Sequence, residues 1–468
     1  MPVKPETSNT PESGGSHLNP ERVHQVSQWE VFKNRKRILK NPLPFHQEKF
    51  GEYGNTFIVR IGARKRIVFT REPATVRNIL QKNHRNYRKS ELQTRDLAKY
   101  IGHGILTSEG DFWRKHRKMI QPAFHKEQLQ GLLDLMYRAI REELSDLPED
   151  QIVDIFPKMS DLAFQVVAQS LFRAGDFRED MNRLQEITED NQRMLIREMR
   201  QPYLKWWFQL SGRIGYHLGL SQEARNILDN LIEDRVQSEK RRGDLLDMLL
   251  DARYEDGSPM PRRQLIDELI ILFTAGHETT ANALSFAIFL IASHPQVQQR
   301  LYEEVREVDF EGDKLQVLRN LGYAQQCLEE AMRLFPPVYV IDRVSVNPET
   351  LQGHTFPGGT TWLLSIYELH RSPDLWDNPE AFIPERFQPD LKKKYSGFYF
   401  PFGAGPRMCI GNIFAMNEMM LTIGWLIQNY RITTPTDVLE INPLISLKPG
   451  KVPLRLEFRE PGLSQSRN

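Results

Sequence analysis

The feature that most constrains the fold is a long apolar segment with a polar centre. Residues 261–294 predict one helix, because Pro261 suits a first helical turn and Pro295 follows the last turn. At about 1.5 Å per residue, such a helix crosses most of a protein of this size. Its most apolar part, residues 269–292, could span a bilayer, but it carries Glu278 near its middle. A carboxylate is costly at a bilayer centre, so the segment predicts a helix buried in the core of a soluble protein.

The rest of the chain predicts a mainly α fold with a small β portion. Residues 56–70 predict a β-hairpin, and helices dominate from about Asp111, a residue suited to cap a helix. The sequence shows no internal repeat and no long linker, so we expect residues 21–460 to form a single domain. Residues 1–20 are rich in Pro, Ser and Gly and predict a disordered tail, and residues 461–468 predict a frayed one.

Composition argues against several classes of function. Lys and Arg number 62 against 61 Asp and Glu, which gives no global case for nucleic-acid binding. The N-terminal residues contain neither the apolar core of a signal peptide nor a membrane anchor. Two cysteines cannot build a disulfide scaffold or a four-thiolate metal site, and they favour a reducing, cytoplasmic location. If one thiol is functional, it is Cys327 or Cys409.

The strongest chemical signal surrounds Cys409. Gly403, Gly405 and Gly411 allow tight turns or close approach of the backbone, and Pro406 stiffens the loop. A helix is predicted to begin directly after the thiol, so its N–H groups would face the sulfur, lower the thiol pKa and favour the thiolate. A lone cysteine is more often a small buried hydrophobe, but that interpretation does not explain so many special residues around one thiol.

A second signal lies in the middle of the long helix, where Glu278 and Thr279 place a carboxylate beside a hydroxyl. Such a pair is costly among apolar residues unless its hydrogen bonds are satisfied. Threonine can bond back to a carbonyl one turn earlier, and Gly276 weakens the helix locally. A local opening with an acid, an alcohol and room for water could relay protons. The alternative is a kinked core helix with a polar contact to a neighbour.

Two further sets of residues pair by helical spacing. Glu330 and Arg333 share one helix face, and Arg386 could extend the pair into a network, although surface ion pairs are far more common. Trp113 and Arg117 also lie one turn apart and can offer an indole N–H and a guanidinium to the same carboxylate.

Residues 402–411, FGAGPRMCIG, resemble the haem-binding loop of the cytochrome P450 family, and the other motifs match that family in order over residues 41–460. The resemblance implies the cytochrome P450 fold, with haem b between the long central helix and the helix after the cysteine loop. It implies Cys409 as the proximal iron ligand, Arg407 as a propionate ligand and Phe402 packed beside the sulfur. The segment 295–322 is short, so the helices there are expected to be trimmed.

The resemblance also gives roles to the remaining motifs. Glu278 and Thr279 would deliver protons to bound dioxygen, with Ala275 and Gly276 forming the oxygen groove. Further propionate-binding positions would be Trp113, Arg117 and Arg343. The buried network behind the cysteine loop would consist of Glu330, Arg333 and Arg386.

The predicted substrate pocket is apolar, which favours a lipophilic substrate such as a fatty acid, terpenoid, steroid or carotenoid. Residues 101–106 belong to its expected walls, and residues 204–210 to a mobile lid. The other expected wall residues are Leu272, Val338, Tyr339, Val340, Ile341, Leu444 and Ile445.

The reaction implied is hydroxylation or epoxidation with O2. Electrons would come from NAD(P)H through a separate ferredoxin or flavodoxin-like donor, because the sequence has no flavin, nucleotide or iron–sulfur motif. Basic residues near the cysteine loop could receive an acidic donor. These are Arg114, Lys115, Lys118, Lys392, Lys393, Lys394 and Arg407.

Three alternatives remain open at this stage: a peroxide-driven peroxygenase, a non-catalytic haem protein that senses a gas, and a haem-free helical scaffold. The intact Glu278 and Thr279 pair argues against the first, because peroxide brings its own protons. The chain is expected to act as a monomer.

Overall fold

The computed structural model describes residues 23–61, 65–173, 178–238 and 241–459. Helices dominate and the strands are short, so the prediction of a mainly α fold with a small β portion is confirmed. The predicted tails, residues 1–20 and 461–468, lie outside the described residues. The helices are α1 (Gln28–Lys33), α2 (Arg35–Lys40), α3 (Leu43–Tyr53), α4 (Pro73–Arg77), α5 (Ala98–Ile101), α6 (Gly110–Ile120), α7 (Lys126–Gln130), α8 (Leu133–Leu144), α9 (Ile155–Phe172), α10 (Arg178–Arg200), α11 (Lys205–Leu210), α12 (Arg213–Gln237), α13 (Leu245–Asp251), α14 (Arg262–Ser293), α15 (Pro295–Val305), α16 (Lys314–Arg319), α17 (Gly322–Leu334), α18 (Ile366–Leu369), α19 (Pro389–Tyr395) and α20 (Asn412–Asn429). The strands are β1 (Gln25–Val26), β2 (Thr56–Ile61), β3 (Lys65–Thr70), β4 (Tyr87–Arg88), β5 (Ile152–Asp154), β6 (Val340–Ser345), β7 (Glu349–Leu351), β8 (His354–Phe356), β9 (Thr361–Ser365), β10 (Tyr430–Thr433), β11 (Ile441–Pro443), β12 (Leu447–Pro449) and β13 (Pro453–Phe458).

The long central helix α14 organises the core. It lies one residue inside each predicted end, and Pro261 occupies its N-cap position. Most of its side chains from Leu265 to Ala292 are buried, because α9, α12, α17 and α20 pack around it. The prediction of a buried core helix is therefore confirmed. None of the helices in the described part of the chain combines the length and the apolarity that a membrane span needs.

The largest sheet has the strand order β1-β2-β3-β9-β6-β4. The predicted hairpin is present, since β2 and β3 pair antiparallel with Thr56 opposite Thr70, while residues 62–64 of its turn lie outside the described residues. Strand β6 runs antiparallel to β9 and places Arg343 opposite Trp362. This register carries the Arg343 side chain into the protein interior, where it is buried.

A small hairpin near the C-terminus also approaches the core. Strands β11 and β12 pair antiparallel, with Pro443 opposite Leu447, and residues 444–446 form the turn between them. Leu447 packs with Phe286 of the central helix and Leu43 of α3. The turn is therefore held next to the polar middle of α14.

Most helix ends agree with the sequence prediction. Helix α17 ends at Leu334, shortly before two prolines, and α20 begins at Asn412, three residues after Cys409. The short segment before α17 still contains α15 and α16, and α16 has only 6 residues.

The prediction that Asp111 caps α6 is wrong. The helix begins at Gly110, and Glu109 occupies the N-cap position without a capping side-chain hydrogen bond. The Glu109 carboxylate instead accepts from the backbone N–H of Lys89 at 2.7 Å and pairs with Arg407 at 3.1 Å. These tertiary partners are distant in the sequence, so a local capping pattern could not reveal them.

Glu330, Arg333 and Arg386 lie together in a buried network. Arg333 donates two hydrogen bonds of 2.8 Å to the Glu330 carboxylate, and the side chains of both residues are 0% exposed. Arg386 Nε donates to Glu330 Oε1 at 3.3 Å, and the backbone N–H of Ile383 donates to the same oxygen at 3.0 Å. Arg333 also donates to the carbonyls of residues 370, 379 and 381. The network therefore ties α17 to the chain segment that precedes the cysteine loop.

Substituting Glu330→Ala should destabilise the protein strongly, because it leaves two guanidinium groups buried without their carboxylate. We expect a loss of about 3–5 kcal/mol in the free energy of unfolding, measured by denaturant titration. The matched control is Glu307→Ala, which removes an exposed partner of Arg306 and should change stability little. Equal effects of the two substitutions would contradict the importance of the network.

Candidate functional site

The cysteine loop is shaped by its glycines. Gly403 and Gly405 both have φ of +71°, a conformation that side chains other than glycine rarely adopt. A Cβ at Gly405 would overlap the backbone carbonyl of Leu80, so this glycine allows the loop to approach a neighbouring segment closely. The N–H of Cys409 donates to the carbonyl of Phe402 at 2.9 Å, which closes the loop around the thiol.

The thiol of Cys409 is accessible to solvent, yet protein atoms surround it densely enough to desolvate it. Burial raises the pKa of the Cys409 thiol, while the N–H of Gly411 and the charge of Arg117 act in the opposite direction. We expected the N–H groups at the helix start to lower the pKa of Cys409, but their effect is smaller than that of burial. A coordinated metal deprotonates a thiol outright, so the ligand role does not need a low intrinsic pKa.

Cys327, the other thiol of the sequence, lies in a different setting. It is buried in the main apolar core, and burial raises its pKa well above the ordinary value. It therefore behaves as a structural hydrophobe, and Cys409 remains the ligand candidate.

Two of the residues predicted to bind propionates, Trp113 and Arg117, approach the cysteine loop from α6. Helix α6 buries Trp113 on one face, and the guanidinium of Arg407 lies 4.3 Å from the Trp113 ring centroid. Arg117 donates to the backbone carbonyl of Met408 at 2.9 Å, one residue before Cys409. Arg117 therefore lies against the loop through its bond to Met408, and Trp113 lies against it through the guanidinium of Arg407.

Three cations lie close together beside this loop. Burial, together with the nearby charge of Arg407, lowers the pKa of Arg343 to about 10. Burial and the charges of Arg407 and Arg343 lower the pKa of Lys89 to about 7. The acids that offset these cations are Glu109 and Asp342.

The charge of this cluster suits the carboxylates of a haem. Buried cations are costly unless anions pair with them, and haem carries two propionate carboxylates. Arg343, Arg407 and Lys89 supply donors of the right charge next to a cysteine that can ligate iron. The described residues therefore fit the group. Sequence reasoning missed Lys89, because a single lysine in a polar segment shows no pattern that separates it from a solvated one.

The acid and the alcohol of the central helix are held in different ways. Thr279 Oγ1 donates to the carbonyl of Ala275 at 2.7 Å, as expected for a threonine that bonds back to its own helix. Glu278 Oε1 accepts at 2.9 Å from the hydroxyl of Ser446, which lies on the β11–β12 turn. Ser446 is buried and accepts in turn from Asn282 Nδ2 at 2.9 Å.

The helix does not open at Gly276. Residues 262–293 are continuously helical, and a Cβ at Gly276 would lie 3.1 Å from a methyl group of Val167 on α9. The glycine therefore permits close packing of two helices, which corrects the expectation of a local break there. His277 belongs to the same packing, because it is buried and its Nδ1 lies 3.0 Å from the carbonyl of Phe273.

The expected substrate residues fall into two groups. Tyr339 and Leu444 are brought together by a hydrogen bond of 2.9 Å from the tyrosine hydroxyl to the Leu444 carbonyl. Ile341 lies next to the cysteine loop, where its Cδ1 is 3.9 Å from the Cβ position of Gly403. Leu272 packs on the central helix against the main core. Val338, Val340 and Ile445 are partly or largely exposed.

A cavity between α5, α10, α12 and α14 was not anticipated from the sequence. Among its lining residues are Ile101, Ile187, Leu195, Ile270 and Thr274. Only Ile101 belongs to the segments expected to line the pocket. The loop that follows α5 is fixed to the central helix. The N–H of His103 donates to the Asp267 carboxylate at 2.9 Å, and the N–H of Ile105 donates to the Glu268 carboxylate at 2.9 Å.

Comparisons with known proteins agree with this geometry. A family model described as Cytochrome P450 matches residues 26–456. Cytochrome P450 4A6 of Oryctolagus cuniculus is 31% identical over 77% of the chain and 75% of its own length. Pentalenene oxygenase of Streptomyces avermitilis is 27% identical over 91% of the chain and 95% of its own length.

Solved structures show the same similarity. Retinoic acid bound cyanobacterial CYP120A1 is 26% identical and matches with a TM-score of 0.77 over 90% of this chain and 95% of its own. The cytochrome P450DA heme domain is 23% identical and shares the fold, with a TM-score of 0.82 over 94% of this chain and 98% of its own.

Lys89 should make the stability of the haem-free polypeptide depend on pH. Its folded pKa is about 7 and its ordinary value is 10.5, so between these values the unfolded chain binds more protons. The stability that this group contributes is therefore lost as the pH falls from about 10.5 to about 7. We expect the free energy of unfolding to rise more steeply with pH in this range in the wild type than in Lys89→Met, measured by denaturant titration.

Saturation with haem is the control for this experiment. Paired propionates should reduce the difference between the two slopes, because they compensate the Lys89 charge. Identical slopes in the haem-free proteins would show that Lys89 is not desolvated as the structure indicates.

Proposed function

The chain belongs to the cytochrome P450 family of haem monooxygenases, and from this premise we propose that it inserts one oxygen atom of O2 into a lipophilic small molecule. The product would be an alcohol or an epoxide. The observation that carries the proposal is the position of Cys409 in a glycine-shaped loop beside Arg343, Arg407 and Lys89. This arrangement offers an iron ligand and donors for carboxylates in one place.

Haem, when bound, supplies the oxygen activation, and the thiolate ligand favours cleavage of the O–O bond. The chain's own residues hold and tune it. Cys409 would ligate the iron, Arg343, Arg407 and Lys89 would pair with the propionates, and Phe402 would pack beside the sulfur. Trp113 holds the Arg407 guanidinium against its ring, and Arg117 holds the Met408 carbonyl next to the ligand.

Glu278 and Thr279 would handle protons. The Glu278 carboxylate is half-buried, so it can take a proton from water on one side and release it toward the interior. Rotation of the Thr279 side chain away from the Ala275 carbonyl would free its hydroxyl to receive that proton and pass it on. Ala275 and Gly276 would form the oxygen groove, with Ala275 contributing a small side chain one turn before Thr279 and Gly276 packed against Val167.

The uncharged surroundings of the central helix favour a lipophilic substrate. The cavity between α5, α10, α12 and α14 has room for only about one water molecule, but none of the described residues in its lining is charged. The names of two similar proteins, a pentalenene oxygenase and a complex with retinoic acid, support the same class of substrate. Leu272, Tyr339, Ile341 and Leu444 would complete the pocket.

Electrons would come from NAD(P)H through a ferredoxin or flavodoxin-like donor that docks near the cysteine loop. Several of the basic residues expected there are paired with acids, which reduces the positive charge of that surface. These pairs are Arg114 with Asp111, Lys118 with Glu255, Lys392 with Glu329, Lys394 with Asp377 and Arg407 with Glu109. Docking would therefore depend on shape as well as on charge. We also propose that the chain acts as a monomer in the cytoplasm.

The first test concerns the ligand. The reduced, carbon monoxide-bound wild type should show the absorption spectrum of a thiolate-ligated haem, and Cys409→Ala should lose that spectrum together with monooxygenation. Cys327→Ala is the matched control and should keep both, because Cys327 lies in the apolar core. Retention of the thiolate spectrum in Cys409→Ala would show that Cys409 is not the iron ligand.

The second test concerns the protons. Glu278→Gln and Thr279→Val should slow O–O bond cleavage, so a larger share of the electrons from NAD(P)H should leave as hydrogen peroxide. We expect a loss of roughly 10²-fold or more in product formation, the usual scale for a proton-transferring group. Turnover with peroxide alone should be much less affected. If peroxide supports wild-type turnover better than the reductase system does, the protein is a peroxygenase.

A further inference from the structure

The turn between β11 and β12 joins two parts of the site. Ser446 is 4% exposed, and its hydroxyl donates to Glu278 Oε1 at 2.9 Å. Asn282, one helical turn after Glu278 on the central helix, donates from Nδ2 to Ser446 Oγ at 2.9 Å. Because the amide occupies an acceptor position of the hydroxyl, the hydroxyl hydrogen is left to point at the carboxylate.

The turn is anchored on its other side as well. The hydroxyl of Tyr339 donates to the Leu444 carbonyl at 2.9 Å, and the N–H of Leu447 donates to the Pro337 carbonyl at 2.8 Å. The turn closes on itself through a bond of 2.9 Å from the Leu444 N–H to the Ser446 carbonyl. The segment after α17 therefore fixes where Ser446 meets the central helix.

We propose that Ser446 is the positioning residue for the carboxylate of Glu278, and that the turn 444–446 links this carboxylate to the pocket wall. The inference rests on the proposed function, in which Glu278 handles protons. A glutamate has three rotatable side-chain bonds, and a half-buried one can turn toward water or toward the interior. The Ser446 hydroxyl selects one of these orientations, since a hydrogen bond to a charged acceptor is stronger than one between neutral groups.

The same turn carries two of the expected pocket residues. Leu444 and Ile445 directly precede Ser446, and both are partly accessible while Ser446 is buried. A substrate that presses on Leu444 or Ile445 displaces the backbone that holds the serine. The same three-residue turn, 444–446, would therefore contact the substrate and orient the Glu278 carboxylate.

The charges around the pair are consistent with a positioning role. His277, the nearest titratable neighbour on the helix, is buried, and burial lowers its pKa, so it is neutral at physiological pH. Lys448 on β12 lies over the ring of Phe156 at 4.7 Å. Ser446 and Asn282 are therefore the side chains through which the described structure orients Glu278.

The experiment uses the haem-loaded enzyme and two independent readouts. The first is the infrared carboxylate stretch of Glu278, identified as the band that Glu278→Gln removes. The second is the hydrogen peroxide released per NAD(P)H consumed with the electron donor. Ser446→Ala should shift the band and raise peroxide release at least about twofold, because small displacements of a reacting group have large effects on rate. Ser446→Thr keeps the hydroxyl and should restore both.

Two more variants complete the design. Tyr339→Phe removes the anchor of the turn without touching Glu278, and it should shift the band and raise peroxide release in the same direction. Ser293→Ala is the control, because its hydroxyl lies on the same helix and, within the described part of the chain, donates only to the Phe289 carbonyl, at 2.9 Å. It should leave both readouts unchanged.

The outcomes distinguish the positioning role of Ser446 from the proton-transfer role of Glu278. If Glu278→Gln raises peroxide release and Ser446→Ala changes neither readout, the positioning role of Ser446 is overturned while the proposed function stands. If Ser446→Ala acts and Tyr339→Phe does not, Ser446 positions the acid but the turn does not transmit contacts from the pocket wall. If Glu278→Gln has no effect on peroxide release, the proton role of Glu278 fails first.

Discussion

Burial of positive charge beside the cysteine loop is the constraint on which the rest of the site depends. Arg343, Arg407 and Lys89 are held where burial lowers their pKa values, and the carboxylates that offset them among the described residues are those of Glu109 and Asp342. Such an arrangement is unfavourable for the polypeptide alone, because an incompletely paired charge loses its hydration. If haem binds here as we propose, its two propionate carboxylates would pair with these cations and compensate their lost hydration.

The network around Glu330 is the opposite case. The Glu330 carboxylate accepts from the guanidinium groups of Arg333 and Arg386 and from a backbone N–H. Arg333 also donates to backbone carbonyls. All its members are buried, and the network is complete without a ligand. The Glu330 cluster is therefore satisfied by the polypeptide alone, whereas the three cations beside the cysteine loop have two carboxylates near them.

The central helix connects these clusters to the chemistry. Its apolar length is buried by the helices around it, and only at its middle do polar side chains find partners. Thr279 is satisfied within the helix, whereas Glu278 relies on Ser446 from a distant hairpin. The acid is therefore the member of the pair whose geometry depends on the rest of the molecule.

Comparison of the prediction with the structure shows where local patterns are informative. Both ends of α14 and the start of α20 were predicted to within a few residues, because helix-start and helix-stop signals act over one or two turns. The predicted cap at Asp111 and the predicted opening at Gly276 were wrong. Glu109, at the N-cap position, pairs with Arg407 instead of capping the helix, and Gly276 packs closely against Val167. The direction of the Cys409 pKa was also wrong, because burial outweighs the helix end.

The sequence by itself determined the extent of the central helix and the position of the glycine-rich cysteine loop, because each depends on residues close together in the chain. Only the tertiary structure decided that Lys89 joins the buried cations, that a serine 168 residues away holds Glu278, and that the central cavity has an uncharged lining. Electrostatic energies depend on distance and desolvation in space. Neither quantity can be read from spacing along the chain.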